Sequence, residues 1–357
     1  MKIASSNFRF QSNHQEFVQP DPTRARRDLR ASIAALVAVI VAAVLLIAPM
    51  IARADEPSPT PTATPAAIPA SPTTGEAAAP APPAKPIIPS APLAIASEKA
   101  SCLETIESTV RPQNRERLKS FCDKVERLPA CSSAEGRPIQ HIDSDSGDLR
   151  APKRILVFGM IHGDEPLSGE MALEWAERLK TIEHRNSWRI VPMLNPDGLK
   201  RKTRMNAHSV DLNRNFPTKD WVAEAMPFWK KTGKEDPRRY PGDNAASEPE
   251  TRCAIAQIKE FKPDFIVSVH TPYKVLDFDG PQMKFPRYKD LPWRSLGNFP
   301  GSLGRYMWRD YQVPVLTVEL GTTMVDAAQL QDLLGSFAIE AARRSGQKTA
   351  GTFDTLM

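Results

Sequence analysis

The sequence predicts an α/β fold, a doubly wound mixed, mostly parallel sheet with helices on both faces. Three observations lead there. Continuous apolar runs of strand length recur at 155–161, 189–194, 265–269 and 315–320, the pattern of strands buried on both sides. Stretches with helical spacing of apolar residues lie between and after them, at 166–181, 249–261, 301–311 and 325–344. Each apolar run also ends in polar residues, as expected at the carboxyl edge of an open α/β sheet, where ligands bind.

The chain before this pattern is of other kinds. Residues 1–30 form a basic segment with Arg24, Arg26, Arg27 and Arg30, expected in the cytoplasm by the positive-inside bias. Residues 31–52 are apolar over about the length that crosses a bilayer as a helix. They lead into Ala52-Arg53-Ala54, a pattern suited to signal peptidase. Segment 31–54 is therefore either an uncleaved anchor or a signal cut near Ala54. In both cases the remainder is exported to the periplasm or cell envelope, tethered to the inner membrane or released. Of the 34 prolines twelve cluster between Pro57 and Pro92, so 55–96 reads as a disordered linker, semi-rigid and extended at up to about 3 Å per residue. Residues 97–135 read as a small element of two short helices interrupted at Arg111-Pro112, and 136–350 as the main domain.

Charge and cysteines narrow the function classes. Lysine and arginine total 47 against 42 acidic residues, a net +5. Up to Ala54 there are seven basic and three acidic residues, so the exported part carries only about +1. No nucleic-acid footprint results. In an oxidising compartment a disulfide is expected among Cys102, Cys122 and Cys131, with the pairing open. Cys253 shares a helical pattern with Ile255 and Ile258 and is expected to be a buried thiol.

The chemistry sits at the strand ends. The first run stops at His162, with Glu165 three residues on, and the second at the turn Asn195-Pro196-Asp197-Gly198. The third ends at His270 and the fourth at Glu319. Two histidines and a carboxylate make the donor set of a catalytic zinc, with one position open for water. Such a metal acidifies the water and polarises a carbonyl, leaving Glu319 as the base that moves the proton to the leaving amine. The stretch Arg201-Lys-Thr-Arg204 offers a guanidinium as donor for charge developing on the carbonyl oxygen. Asn213-Arg214 suits a substrate carboxylate, which favours a planar double donor. The polar excursion 218–246 is long enough to shape a binding site. Ser247-Glu-Pro249-Glu-Thr reads as a helix start without chemistry. Asp277 and Asp279 read as a loop turn, with contact to a substrate amine as the alternative. His14, His141, His184 and His208 are given no role.

Taken in order, His162-x-x-Glu165, Asn195-Pro-Asp-Gly198, Arg204, Asp211-Leu-Asn213-Arg214-Asn-Phe216, Ser247-Glu-Pro-Glu-Thr251, His270 and Glu319 resemble the zinc carboxypeptidase family. The likeness runs over roughly 138–345. Within the family it leans toward the bacterial murein peptide amidase group, on Gly159-Met-Ile-His-Gly-Asp-Glu165 and Phe299-Pro-Gly-Ser-Leu-Gly304 among others. The resemblance implies that 136–350 is a zinc peptidase domain holding one Zn2+ per chain on His162, Glu165 and His270. It implies Glu319 as base, Arg204 on the tetrahedral intermediate, and Asn213 and Arg214 on a substrate carboxylate. Members of that group cut the γ-D-glutamyl–diaminopimelate bond, so peptidoglycan-derived peptides are the expected substrates. Two rivals stand beside this: a carboxypeptidase removing ordinary C-terminal residues, and a non-catalytic cell-wall binder on the same fold. No partner protein is implied, and membrane contact would run through 31–52 if uncleaved. There is one departure. Digestive members carry a substrate-capping tyrosine before the base, whereas Tyr306 and Tyr311, nearest before Glu319, fall in a helical pattern.

Overall fold

The computed structural model describes residues 91–147, 152–346 and 353–356. The basic segment 1–30, the apolar segment 31–54 and the linker up to residue 90 lie outside the described residues, as does His14. Among the described residues no helix is long and apolar enough to cross a membrane.

Helix α1 (Ala91–Thr109) takes in residues 91–96, which composition assigned to the linker. Helix α2 (Pro112–Leu118) follows at once, and the break falls where the sequence placed it. Pro112 opens α2 because its missing N–H is one a first turn does not need. A 3-10 turn, Lys119–Asp123, comes next, and Cys102–Cys122 fastens it to α1 with the two Cα atoms 5.5 Å apart. Ile106, Val110, Leu118 and Phe121 are buried in the same apolar cluster as the central strands, so this element is built into the main core. The chain then runs as an extended strap, bridged at Glu126–His141 and Ser132–Pro138.

The second disulfide corrects an expectation. Cys253 is not a free thiol but pairs with Cys131, 122 residues away. Burial on a helix looks the same in sequence for a thiol and a half-cystine. The partner arrives only when the strap crosses that helix.

Six strands form one sheet: β1 (Ile142–Ser144), β2 (Arg154–Phe158), β3 (Ser187–Val191), β4 (Phe265–His270), β5 (Val275–Asp279) and β6 (Val315–Glu319). Their order is β1-β3-β2-β4-β6-β5. The four inner strands are parallel and the two edge strands antiparallel. From β2 the chain moves outward to β3, then returns to the other side of β2 as β4. The direction of winding therefore reverses about β2, and the carboxyl ends there open into a crevice. The sheet is mixed and mostly parallel, as predicted.

The helices α3 (Pro166–Leu179), α4 (Pro196–Arg201), α5 (Trp221–Lys231), α6 (Pro249–Phe261) and α7 (Ala327–Arg344) complete the fold. Alternation along β2 shows the two layers. Ile155 and Val157 enter a cluster with Met171 and Trp175 of α3 and Leu334 and Phe337 of α7. Leu156 and Phe158 enter another with Ile258 and Phe261 of α6 and with Tyr306 and Met307. Trp175 Nε1 also donates to the Ala327 carbonyl at 2.9 Å, joining α3 to α7. Removing the Trp175 side chain should cost about 3–5 kcal/mol.

Three features differ in detail from the sequence reading. The edge strands β1 and β5 were not anticipated. The segment expected as a helix at 301–311 is centred on a π-helical turn, Arg305–Asp310. The excursion 218–246 contains α5 and a 3-10 turn at Pro237–Arg239.

Candidate metal centre

Three strand ends deliver the central side chains. Beyond β2 the backbone turns sharply, with Met160 at a φ of 46°, and reaches His162. Glu165 stands immediately before α3, whose first residue is Pro166. His270 is the last residue of β4 and Glu319 the last of β6, and the parallel register pairs the two directly. The sheet thus brings together residues more than a hundred positions apart in sequence.

His162, Glu165 and His270 are buried, and their donor atoms lie within 4.8 Å of one another. His162 Nδ1 and His270 Nδ1 are 3.1 Å apart. Glu165 Oε1 is 2.8 Å from the first nitrogen and Oε2 3.0 Å from the second. Two imidazole nitrogens so close can share no more than one proton, and protonating both would place two adjacent charges out of water. The outer nitrogens have their own partners: His162 Nε2 lies 3.2 Å from Asp211 Oδ1, and His270 Nε2 2.8 Å from Ser268 Oγ. Such contacts orient metal-ligating histidines and set their tautomers. The Thr271 amide donates to Glu165 Oε2 at 3.2 Å. Burial raises the Glu165 carboxyl, but its contacts with His162 and His270 outweigh that and hold it well below the usual carboxylate range. Two nitrogens and a carboxylate, without a thiolate, fit zinc.

Arg204 and Asp211 flank this group. Arg204 Nε and Nη2 donate to Asp211 Oδ2 at 3.0 and 2.9 Å, and Nη1 lies 3.1 Å from His162 Nδ1. The buried Asp211 carboxylate therefore joins Arg204 to His162 and also accepts the Asn213 amide. Burial alone would raise its pKa, yet Arg204 and His162 hold it far below the ordinary aspartate value.

Arg214 is placed differently. Its Nη1 donates to the Asn213 carbonyl at 2.7 Å and its guanidinium carbon lies 4.5 Å from the Phe299 ring centre. Among the described residues it forms no ion pair, and loss of hydration pushes its pKa down to about 10. Asn213 Oδ1 accepts from the Leu303 amide at 2.9 Å, leaving its Nδ2 group as a donor. Gly301, at φ +76°, lies so close to the Arg214 carbonyl that a Cβ has no room, so segment 299–304 lies directly on Asn213-Arg214. Glu319 Oε2 accepts the Tyr273 amide at 3.3 Å, and burial pushes its carboxyl upward.

All seven residues singled out in the sequence line one cavity of about 570 Å3. The excursion loop contributes Asp236, Arg238 and Arg239 to its rim. Asp277 and Asp279 line it too, from β5 rather than from a loop turn. Two alternating acids on an edge strand carry no apolar run, which is why the turn reading was the wrong one. Tyr306 is buried in the second apolar cluster with Tyr311 against it, and neither lines the cavity. Tyr273, 62% exposed, is the tyrosine at the mouth. Sequence reasoning gave no role to Asp211 or Ser268. Asp211 stood in plain view two residues before Asn213, whereas Ser268 has no signal beyond its place two residues before His270. His141, His184 and His208 do not line the cavity.

The zinc carboxypeptidase family profile matches residues 115–292. The chain is similar to murein peptide amidase A of Vibrio campbellii, 31% identical over 208 residues, covering 54% of this chain and 79% of that protein. It is also 31% identical to murein peptide amidase A of Escherichia coli K12 over 164 residues, covering 45% of this chain and 59% of that one. The crystal structure of a murein-tripeptide amidase from Escherichia coli O157 aligns at 24% identity and a TM-score of 0.44, covering 64% of this chain and 94% of its own.

Proposed function

The chain belongs to the zinc carboxypeptidase family, and we propose that it is an exported zinc-dependent peptidase or amidase cutting peptidoglycan-derived peptides at the γ-D-glutamyl–diaminopimelate bond. The observation that carries this reading is the 3.1 Å approach of His162 Nδ1 and His270 Nδ1 around Glu165, in one cavity with Glu319 and Arg214. The names of the relatives support the substrate class, and the basic and apolar segments at 1–54 support delivery to the envelope.

His162, Glu165 and His270 would hold a single zinc ion. Bound there, zinc would supply the Lewis acidity that makes a water nucleophilic and a carbonyl electrophilic near neutral pH. The chain's own residues do the rest. Glu319, steadied by the Tyr273 amide on Oε2, takes a proton from the attacking water and hands it to the leaving amine. Burial keeps that carboxyl more basic than an exposed glutamate, which suits the exchange. Arg204, fixed by two bonds to Asp211, presents its charge toward the oxygen that becomes negative. Arg214 and the Nδ2 of Asn213 grip the free carboxylate of the departing residue, with Phe299 against the guanidinium.

A chromatographic assay comparing L-Ala-γ-D-Glu-diaminopimelate with simple dipeptides tests this. Cleavage of the murein tripeptide with release of diaminopimelate is expected. Hydrolysis of dipeptides alone would favour the carboxypeptidase reading. Binding of wall peptides without hydrolysis of either would favour the non-catalytic one.

A further inference from the structure

Outside the cavity, one stretch of surface is unlike the rest in charge. Between Gly280 and Asn298 the chain carries Lys284, Arg287, Lys289 and Arg294 against a single acid, Asp290. Without these five the exported part would hold 36 basic and 38 acidic residues, so the positive charge is local to this segment. All four cations are exposed, and none forms an ion pair among the described residues. Arg343 and Arg344 of α7, by contrast, share Glu340.

The segment is firmly held. Tyr288 and Leu291 are buried in the first apolar cluster. The Leu276 amide donates to the Pro292 carbonyl at 2.9 Å and the Arg294 amide to the Leu276 carbonyl at 2.8 Å, which lays the segment along the outer edge of β5. Among the cations lies an aromatic stack. The Phe285 and Trp293 ring centres are 4.4 Å apart with their planes 10° from parallel, and Trp293 Nε1 donates to the Pro286 carbonyl at 2.7 Å. Phe285 is nonetheless 43% exposed. The stack holds its ring flat, so its open side is a fixed apolar platform beside Lys284 and Arg287.

Such a surface suits an anionic polysaccharide. The C–H face of a sugar ring carries slight positive charge and settles on the negative face of an aromatic ring. Exposed cations without partners draw in anions with no ion pair to break first. A bilayer fits less well, because insertion needs a protruding apolar face. Phe285 is the one large apolar side chain exposed on this segment, and Trp293 holds it flat.

We propose that residues 284–294 dock uncut peptidoglycan, with a sugar ring on Phe285 and stem-peptide carboxylates on the four cations. The identity of the polymer rests on the substrate proposed above. A γ-linked glutamyl residue keeps its α-carboxylate free and diaminopimelate adds another, so a strand bearing such stems is a row of anions. Two residues past Arg294 the same segment begins to line the catalytic cavity, with Leu296, Gly297 and Phe299. A strand held on the patch therefore keeps its stem peptides at high local concentration near the mouth. Free tripeptide, arriving without the strand, gains nothing from the patch.

The test is co-sedimentation of the zinc-loaded full chain, kept soluble in mild detergent, with purified sacculi. Wild type is expected to bind, and to release as salt is raised. Lys284→Ser/Arg287→Ser/Arg294→Ser should bind about tenfold more weakly, and Phe285→Ala about two- to tenfold. Both should cleave free murein tripeptide with wild-type kcat/KM. Sacculus binding that is absent in wild type, or unchanged in the charge variant, overturns the proposal. Displacement of wild type by phosphatidylglycerol micelles also overturns it, in favour of a lipid surface. Should Phe285→Ala fail to fold, the charge variant decides, since it alters only exposed side chains. Cleavage of tripeptide without sacculus binding would remove the docking surface and leave the reaction, and binding without cleavage would do the reverse.

Discussion

Arg204 and Arg214 lie ten residues apart and line the same cavity, yet their surroundings are opposite. Arg204 is answered: Asp211 takes two of its N–H groups, and His162 stands beside a third. Arg214 is unanswered, with one backbone carbonyl, one aromatic ring and no carboxylate among the described residues. A guanidinium already paired is held still and can present its charge in a fixed direction. One stripped of water and left unpaired has a large gain available when an anion arrives. The same division separates Asp211 from Glu319, the first tied to Arg204 and His162 and the second touching one backbone amide. Answered charges here build the site, and unanswered ones wait for substrate.

The largest expected effect concerns the unanswered carboxylate. Glu319→Gln should lower kcat by about 10^2- to 10^4-fold, the usual share of general acid–base catalysis. Zinc content should persist, and because burial disfavours the charge, the melting temperature should hold or rise. Loss of zinc together with activity would place Glu319 among the metal's supports and erase the distinction.

Next come the arginines. Arg204→Met leaves Asp211 buried without its main cation, and unfolding measurements should show a loss of about 3–5 kcal/mol. Arg214→Met should leave stability unchanged or improved. Its kcat/KM should fall about ten- to hundredfold, mostly through KM, since a charge-assisted grip on the substrate is lost. If the two variants lose stability equally, the contrast between them is false.

A smaller effect lies outside the cavity, at His141. Burial, aided by Arg189, pushes this ring down to about 4. The unfolded chain therefore binds a proton between about pH 6.5 and 4 that the folded chain refuses, so stability falls as pH drops through that window. His141→Gln should remove up to about 3 kcal/mol of that acid-side loss, read from denaturant midpoints at pH 7 and pH 4.5. An unchanged pH slope would show that this ring does not govern acid sensitivity.

How much could be read beforehand follows from what each residue depends on. Strands β2 and β4 were legible because both their faces are covered, which leaves an unbroken apolar run. Strands β1 and β5 were not, since a short edge strand mixes acids with apolar residues, and Asp277 and Asp279 then resemble a turn. The donor residues were visible because each stands at the end of such a run. Their convergence was expected from the donor types and the resemblance rather than from any local pattern, for it depends on β2, β4 and β6 lying side by side in the sheet. Asp211 went unassigned because its task is to hold His162 and Arg204, a relation no local pattern carries. Cys253 went wrong for the same reason, its partner being non-local.

The Cys131–Cys253 bond has a topological consequence. It closes a ring of chain that contains His162 and Glu165 but excludes His270. A metal joining those three residues would close a second ring, from 162 to 270, that overlaps the first. Interlocked rings restrict the same unfolded chain, so the entropy each removes is partly removed already by the other. Reduction and chelation together should then destabilise by more than the sum of the two alone: either cross-link alone preserves much of the restriction, and only the loss of both frees the chain.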